Sequence, residues 1–164
     1  MTGRRTRKTL LTLHVCASVG WLGGALTVIV LGIFATRDAD PAVRHGVFVA
    51  LHTADRFVMI PIALLAAVTG VVSALASPWG LARYRWVVAK QVLTVGAMVF
   101  GALYVSQQIK AALVAPAAEL DALRVRATIG SGCMLAVLVV ATALSTFKPW
   151  GRTSRLRRDR PDCV

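Results

Sequence analysis

The sequence predicts an all-α membrane protein, a four-transmembrane-helix up-down bundle with both termini in the cytoplasm. Three observations lead there. The first is a conflict in composition. Of 164 residues 57% are hydrophobic and only 16% charged, yet 19 Lys and Arg against 7 Asp and Glu leave a net charge of +12. A soluble domain carries about a quarter of its residues as charges, and a nucleic-acid binder spreads its cations over a polar face. A mean hydropathy of +0.68 leaves too little polar surface for such a face, so nucleic acid is not an expected partner. The second observation is four apolar stretches of the length, roughly 20 residues, that a bilayer core requires. The third is that the cations flank those stretches unevenly.

Span one, Thr9–Phe34, runs 26 residues without Asp, Glu, Lys or Arg. Arg4-Arg5 before it imitates a signal peptide, but the run exceeds the roughly 7–15 residues of a cleavable core and three more spans follow, so it is expected to be retained. Span two, Phe57–Ala76, is extended upstream to Gly46 by a semi-polar run and contains Pro61. Span three, Trp86–Ile109, is interrupted only by Lys90, and span four, Ala127–Phe147, by no charge. The spans lack the polar face, repeating every three or four residues, of a soluble bundle. The connections, roughly 36–45, 77–85 and 110–126, leave one domain over residues 1–164, with basic tails 1–8 and 148–164. The last connection, with Pro116, is expected along the interface as a short amphipathic piece.

With four crossings both tails share a side, and thirteen of the nineteen cations then fall there against six opposite. Positive flanks stay in the cytoplasm, placing the termini inside a bacterial inner membrane against its anionic leaflet. Ser77-Pro78-Trp79-Gly80 and Lys148-Pro149-Trp150-Gly151 end spans two and four. They read as two helix stops with interfacial tryptophans, or as traces of a duplication. Cys16 and Cys133 differ in depth by about 10 Å, too far for a disulfide.

Ionisable residues inside a span are costly and mark candidate sites. His14 lies about one turn into span one, with Trp21 one heptad further on its face and Gly24 flanking it. Lys90 is about one turn into span three from the same side, so the two share a depth. Lys90, Thr94, Ala97, Gly101, Tyr104 and Gln108 fall on one line of span three and are expected to face the interior. Ser73, Ser77, Thr142 and Ser145 reach the same level from the other spans. A second cluster, His52, Asp55 and Arg56, is spaced i, i+3, i+4 on span two near the opposite edge. It reads either as a proton relay or as an ion pair settling a helix end. Gly20-x-x-x-Gly24 supplies a close-packing edge, which serves equally a non-catalytic bundle acting as subunit, scaffold or homo-oligomer.

His14 followed by Trp21-Leu22-Gly23-Gly24 resembles the opening of the CopD-type copper-resistance and HemJ-type protoporphyrinogen oxidase membrane families, and Trp86 through Lys90 resembles the W-x3-K of the latter. The whole chain, with Pro78-Trp79-Gly80-Leu81 and Phe147-Lys148-Pro149, looks closest to an actinobacterial family of predicted integral membrane proteins of unknown function. The HemJ likeness covers spans one and three. It implies haem b or porphyrin handling, with His14 as axial metal ligand and Lys90 as the essential lysine; Trp21, Gly24 and Thr94, on the faces beside them, are candidates for the same cofactor site. Two departures stand against it. The L-P-R stretch after the first glycines is missing, and the His and Met content is low for a copper carrier. Within one chain no second His shares the depth of His14, and Met134 lies about 14 Å away in depth, so bis-His ligation requires a symmetric dimer.

Overall fold

A computed structural model describes residues 3–37, 40–75 and 84–147. Six α-helices compose it: α1 (Arg4–Arg37), α2 (Pro41–Ala54), α3 (Ile60–Leu75), α4 (Arg85–Phe100), α5 (Ser106–Ala112) and α6 (Ala117–Phe147). One π-helical turn, Asp55–Met59, joins α2 to α3, and another, Gly101–Val105, joins α4 to α5. The result is four continuous rods, Arg5–Ala35, Pro41–Leu75, Arg85–Ala112 and Ala117–Phe147, each long and apolar enough to cross a bilayer. The Pro-Trp-Gly repeats and the C-terminal tail lie outside the described residues.

The rods run further than their apolar stretches. Asp40 caps α2, its side chain accepting from the Ala42 N–H at 2.8 Å, with Pro41 in the first turn where its missing N–H costs nothing. The segment 110–126, expected to lie along the interface, is corrected. The chain leaves helix only at 113–116, and Ala117–Arg126 is the opening of α6 itself. Pro116 starts that helix, with Glu119 in its first turn, where a carboxylate suits the helix dipole. Charges in 117–126 mark the part of a long helix beyond the apolar core, which a search for charge-free runs cuts away.

Alternating direction follows from the contacts. His14 meets Ala66, Gly20 meets Ile62 and Gly24 meets Met59 as α1 and the second rod pass in opposite senses. Gly32 meets Thr128 while Trp21 borders one space with Leu138, and Gly101 meets Met134 while Tyr104 meets Gly130, so the fourth rod opposes both the first and the third. The first rod thus packs on the second and fourth, and the third packs chiefly on the fourth. Rods two and three touch only sparsely, leaving a seam between α3 and α4. The end of the bundle near Arg5 and Phe147 is its tail end, and the opposite end its loop end.

The buried core is built largely of alanine: Ala17, Ala25, Ala63, Ala66, Ala97 and Ala141 sit at its centre, while Leu11, Val19, Phe57, Leu64, Val92 and Leu103 point outward. Lipid is as apolar as leucine, so burial of large side chains gains little. Close backbone approach across small residues gains packing instead. Gly24 is the tightest instance, since a Cβ there would run into the Met59 sulfur. The Gly20–Gly24 edge is therefore consumed within the chain, holding α1 against the second rod.

The interior stripe expected on span three holds at Ala97, Gly101 and the buried side-chain oxygen of Gln108, and fails at Tyr104. Ala97 is buried and Gly101 faces Met134. The π turn then inserts an extra residue and rotates the helix beyond it. Val105 takes the buried place, and Tyr104 lies at the rim over Gly130, its ring stacked on Phe100 at 5.0 Å. Nothing in the local sequence marks that turn.

Candidate functional site

His14 is half-buried on α1 against α3. Its Nδ1 lies 3.0 Å from the Ala66 carbonyl and 3.3 Å from the Thr69 hydroxyl. A carbonyl oxygen only accepts, so Nδ1 carries the proton and donates. Thr69 spends its own proton on the Leu65 carbonyl at 2.6 Å, which leaves its lone pairs toward the imidazole. Nε2 of the neutral ring is then a free acceptor. Gly70 makes room, because a Cβ there would press to 3.0 Å from the imidazole Cε1. A backbone carbonyl on one ring nitrogen, fixing the tautomer and aiming the other nitrogen, is the arrangement used to orient ligating histidines.

A cavity of about 250 Å³ opens beside this ring at the tail end of the seam. Lys90 on α4 is half-buried in its wall, with Gln91 and Thr94 on the same helix, Ser73 from α3 and Arg7 at its tail-end limit. A smaller space of about 40 Å³ behind it is lined by His14, Lys90 and Thr94, with the buried Trp21 at its far side. His14 and Lys90, expected together from depth, and Thr94 and Trp21, expected from their helix faces, border this one space. The Ser73 hydroxyl is buried in the cavity wall with no hydrogen-bond partner. Ser145 also reaches the wall, Thr142 reaches the smaller space, and each back-bonds to its own helix. Ser77 lies outside the described residues.

Two expectations come out differently. Gly24 lies at the Met59 contact and lines neither polar space. His52, Asp55 and Arg56 are not joined by an ion pair among the described residues. Arg56 is exposed and Asp55 half-buried. The loop end is tied instead by Asp121, which pairs with Arg124 at 3.3 Å and Arg44 at 3.8 Å. Arg124 itself is 8% exposed, the most deeply buried cation described. Cys16 and Cys133 are free thiols on the outer face.

The fit of haem divides between chemistry and volume. A neutral imidazole with a fixed tautomer suits an axial position, and Lys90 with Arg7 suits porphyrin carboxylates. About 250 Å³ is below the roughly 300–1,000 Å³ of pockets that hold drug-sized ligands, and a porphyrin macrocycle is larger than those. The ring does not fit inside the bundle. No group of three or more His, Cys, Asp or Glu that could hold a bare metal ion occurs among the described residues.

Residues 8–148 match the protein family described as "Predicted integral membrane protein (DUF2269)", and the chain belongs to that family. No curated protein and no solved structure matches it.

Proposed function

We propose that this member of the family binds a carboxylate-bearing amphiphile at the tail end of the seam, with Lys90 as counter-ion and His14 Nε2 as an oriented hydrogen-bonding or ligating atom. The observation that carries the reading is the shared cavity: a lysine and a tautomer-fixed histidine face one space bounded by apolar wall and membrane. A buried ammonium is stable only when paired or solvated, so an anion arriving from the bilayer satisfies it. The free Ser73 hydroxyl supplies one further donor. The likeness of the opening motif to the HemJ-type family makes porphyrins one member of the class, whose propionate enters while the macrocycle stays in the surrounding lipid. Fatty acids are another. The cation asymmetry supports cytoplasmic termini and a bacterial plasma membrane, so the cavity opens toward the inner leaflet.

The test compares acids with their esters in lipid nanodiscs: protoporphyrin IX against its dimethyl ester, and palmitate against methyl palmitate. At least one acid should bind about tenfold tighter than its ester, a difference of roughly 1.4 kcal/mol. Lys90→Gln should erase the preference and Lys90→Arg retain most of it. Equal binding of acid and ester in both pairs would end the proposal, and the pair that discriminates names the ligand class.

A subunit or scaffold role is the second reading. With Gly20 and Gly24 engaged inside the chain, a partner helix would meet the bundle where glycine is open, at Gly23, Gly96 or Gly132, each with no heavy atom within 4 Å of an added Cβ. Loss of a co-purifying partner or second copy on substitution of those three by Leu would favour it.

A further inference from the structure

A second cavity of about 310 Å³ lies higher in the seam, toward the loop end, and no residue of the proposed acid site other than Trp21 borders it. Its construction is specific. Met59, Met98 and Met134, three of the chain's four methionines, line it together with the buried Trp21. Both π turns contribute to its wall, Asp55 and Met59 from one, Gly101 and Val105 from the other. Such turns break the helical register and recur at functional sites. Here they face each other across the gap where α3 and α4 part.

One polar group without a partner marks what the space accepts. Ser131 on α6 is fully buried, lines this cavity, and its hydroxyl has no hydrogen-bond partner. Other helix hydroxyls here, those of Thr12, Thr27, Thr53, Thr69 and Thr142, turn back onto the carbonyl four residues earlier. Ser131 does not, and a buried hydroxyl without a partner is costly. A ligand acceptor in the cavity would complete it. Thioethers and an indole make favourable contacts with aromatic faces. Asp55, half-buried in the lining, repels an anion. Exposed Leu64, Val99 and Leu103 form the lip, so access is from lipid.

We propose that this upper cavity binds a flat, uncharged ring bearing a carbonyl, of the quinone class, with Ser131 donating to the carbonyl oxygen and the methionines and Trp21 holding the ring. The volume accommodates a one- or two-ring headgroup, and any tail runs out through the lip into the bilayer. The site is separate from the acid site, and its occupant is distinguished from an ordinary acyl chain by the hydrogen bond.

Equilibrium dialysis of nanodiscs, corrected for protein-free discs, tests this with menadione and with 2-methylnaphthalene, which lacks the carbonyls. Wild-type protein should bind menadione saturably. Ser131→Ala, which removes only an unpartnered hydroxyl, should weaken menadione about three- to tenfold and leave 2-methylnaphthalene unchanged. Ala63→Phe, which fills the cavity from α3, should abolish menadione binding while the acid-over-ester preference persists as proof of fold. Lys90→Gln should leave menadione unaffected. Non-saturable uptake, equal to that of Ala63→Phe, would show lipid alone in the cavity and overturn the proposal, as would unchanged menadione affinity in Ser131→Ala.

Discussion

The two cavities share one seam, the same pair of helices and comparable size, yet differ in how they are made. The tail-end cavity is built from polar residues that the membrane makes expensive: His14, Lys90, Thr94 and the unpartnered Ser73. The upper cavity is built mostly from inexpensive ones, methionine and aliphatic side chains, with Asp55, Ser106 and the unpartnered Ser131 as its polar members, and two π turns form part of its wall. The contrast teaches that in a small membrane bundle the charge of a site announces its ligand, whereas the backbone makes the room. Lys90 points to an acid in the tail-end cavity, and Asp55 with Ser131 to a neutral acceptor in the upper one.

The comparison breaks most completely at the contact that supports both sites. Gly24→Leu drives a side chain into Met59, and overpacking of this kind costs about 1–3 kcal/mol. The melting temperature in detergent should fall and both ligands should be lost. Gly23→Leu, one residue away where a Cβ meets nothing, should leave melting within error. Equal effects of the two would show that the Met59 contact does not hold α1 in place. Next in size, the roughly tenfold effect of Lys90→Gln on acids and the roughly three- to tenfold effect of Ser131→Ala on menadione should not cross over. A variant that weakens both ligands equally would merge the cavities into one site. The smallest effect is expected from Thr69→Val. It removes the weaker of the two partners of His14 and leaves the Ala66 carbonyl, and hydrogen bonds between membrane helices average about 0.6 kcal/mol. Acid affinity should drop about two- to threefold, while Gly70→Leu, which crowds the imidazole directly, should do more.

Much of the tail-end site was legible in the sequence because cost is legible. A histidine one turn into span one and a lysine one turn into span three must share a depth in an up-down bundle, and polar groups in lipid turn inward. The partners of His14 were not legible, since a backbone carbonyl at Ala66 leaves no trace in residue type. Four spans followed from four apolar runs, but their ends did not, because helices continue past the apolar core, as Ala117–Arg126 does. The place of Tyr104 at the rim comes from a π turn, which inserts a residue without any composition signal. Gly24 shows the remaining limit. Its role as a small residue was readable, but whether it served a ligand, a partner or a neighbouring helix depended on the direction in which the second rod approached.

The most direct test of the tail-end site is a distance. Palmitate or protoporphyrin IX labelled with ¹³C at its carboxyl, bound to ¹⁵N-Lys, ¹⁵N-His protein in nanodiscs, can be examined by solid-state NMR dipolar recoupling. The account predicts that the carboxyl carbon couples to one lysine Nζ and one imidazole nitrogen, both couplings vanishing in Lys90→Gln. A carboxyl coupled to no imidazole, or to a lysine signal that survives Lys90→Gln, would place the acid at the membrane surface and contradict the assignment of His14 and Lys90 to one site.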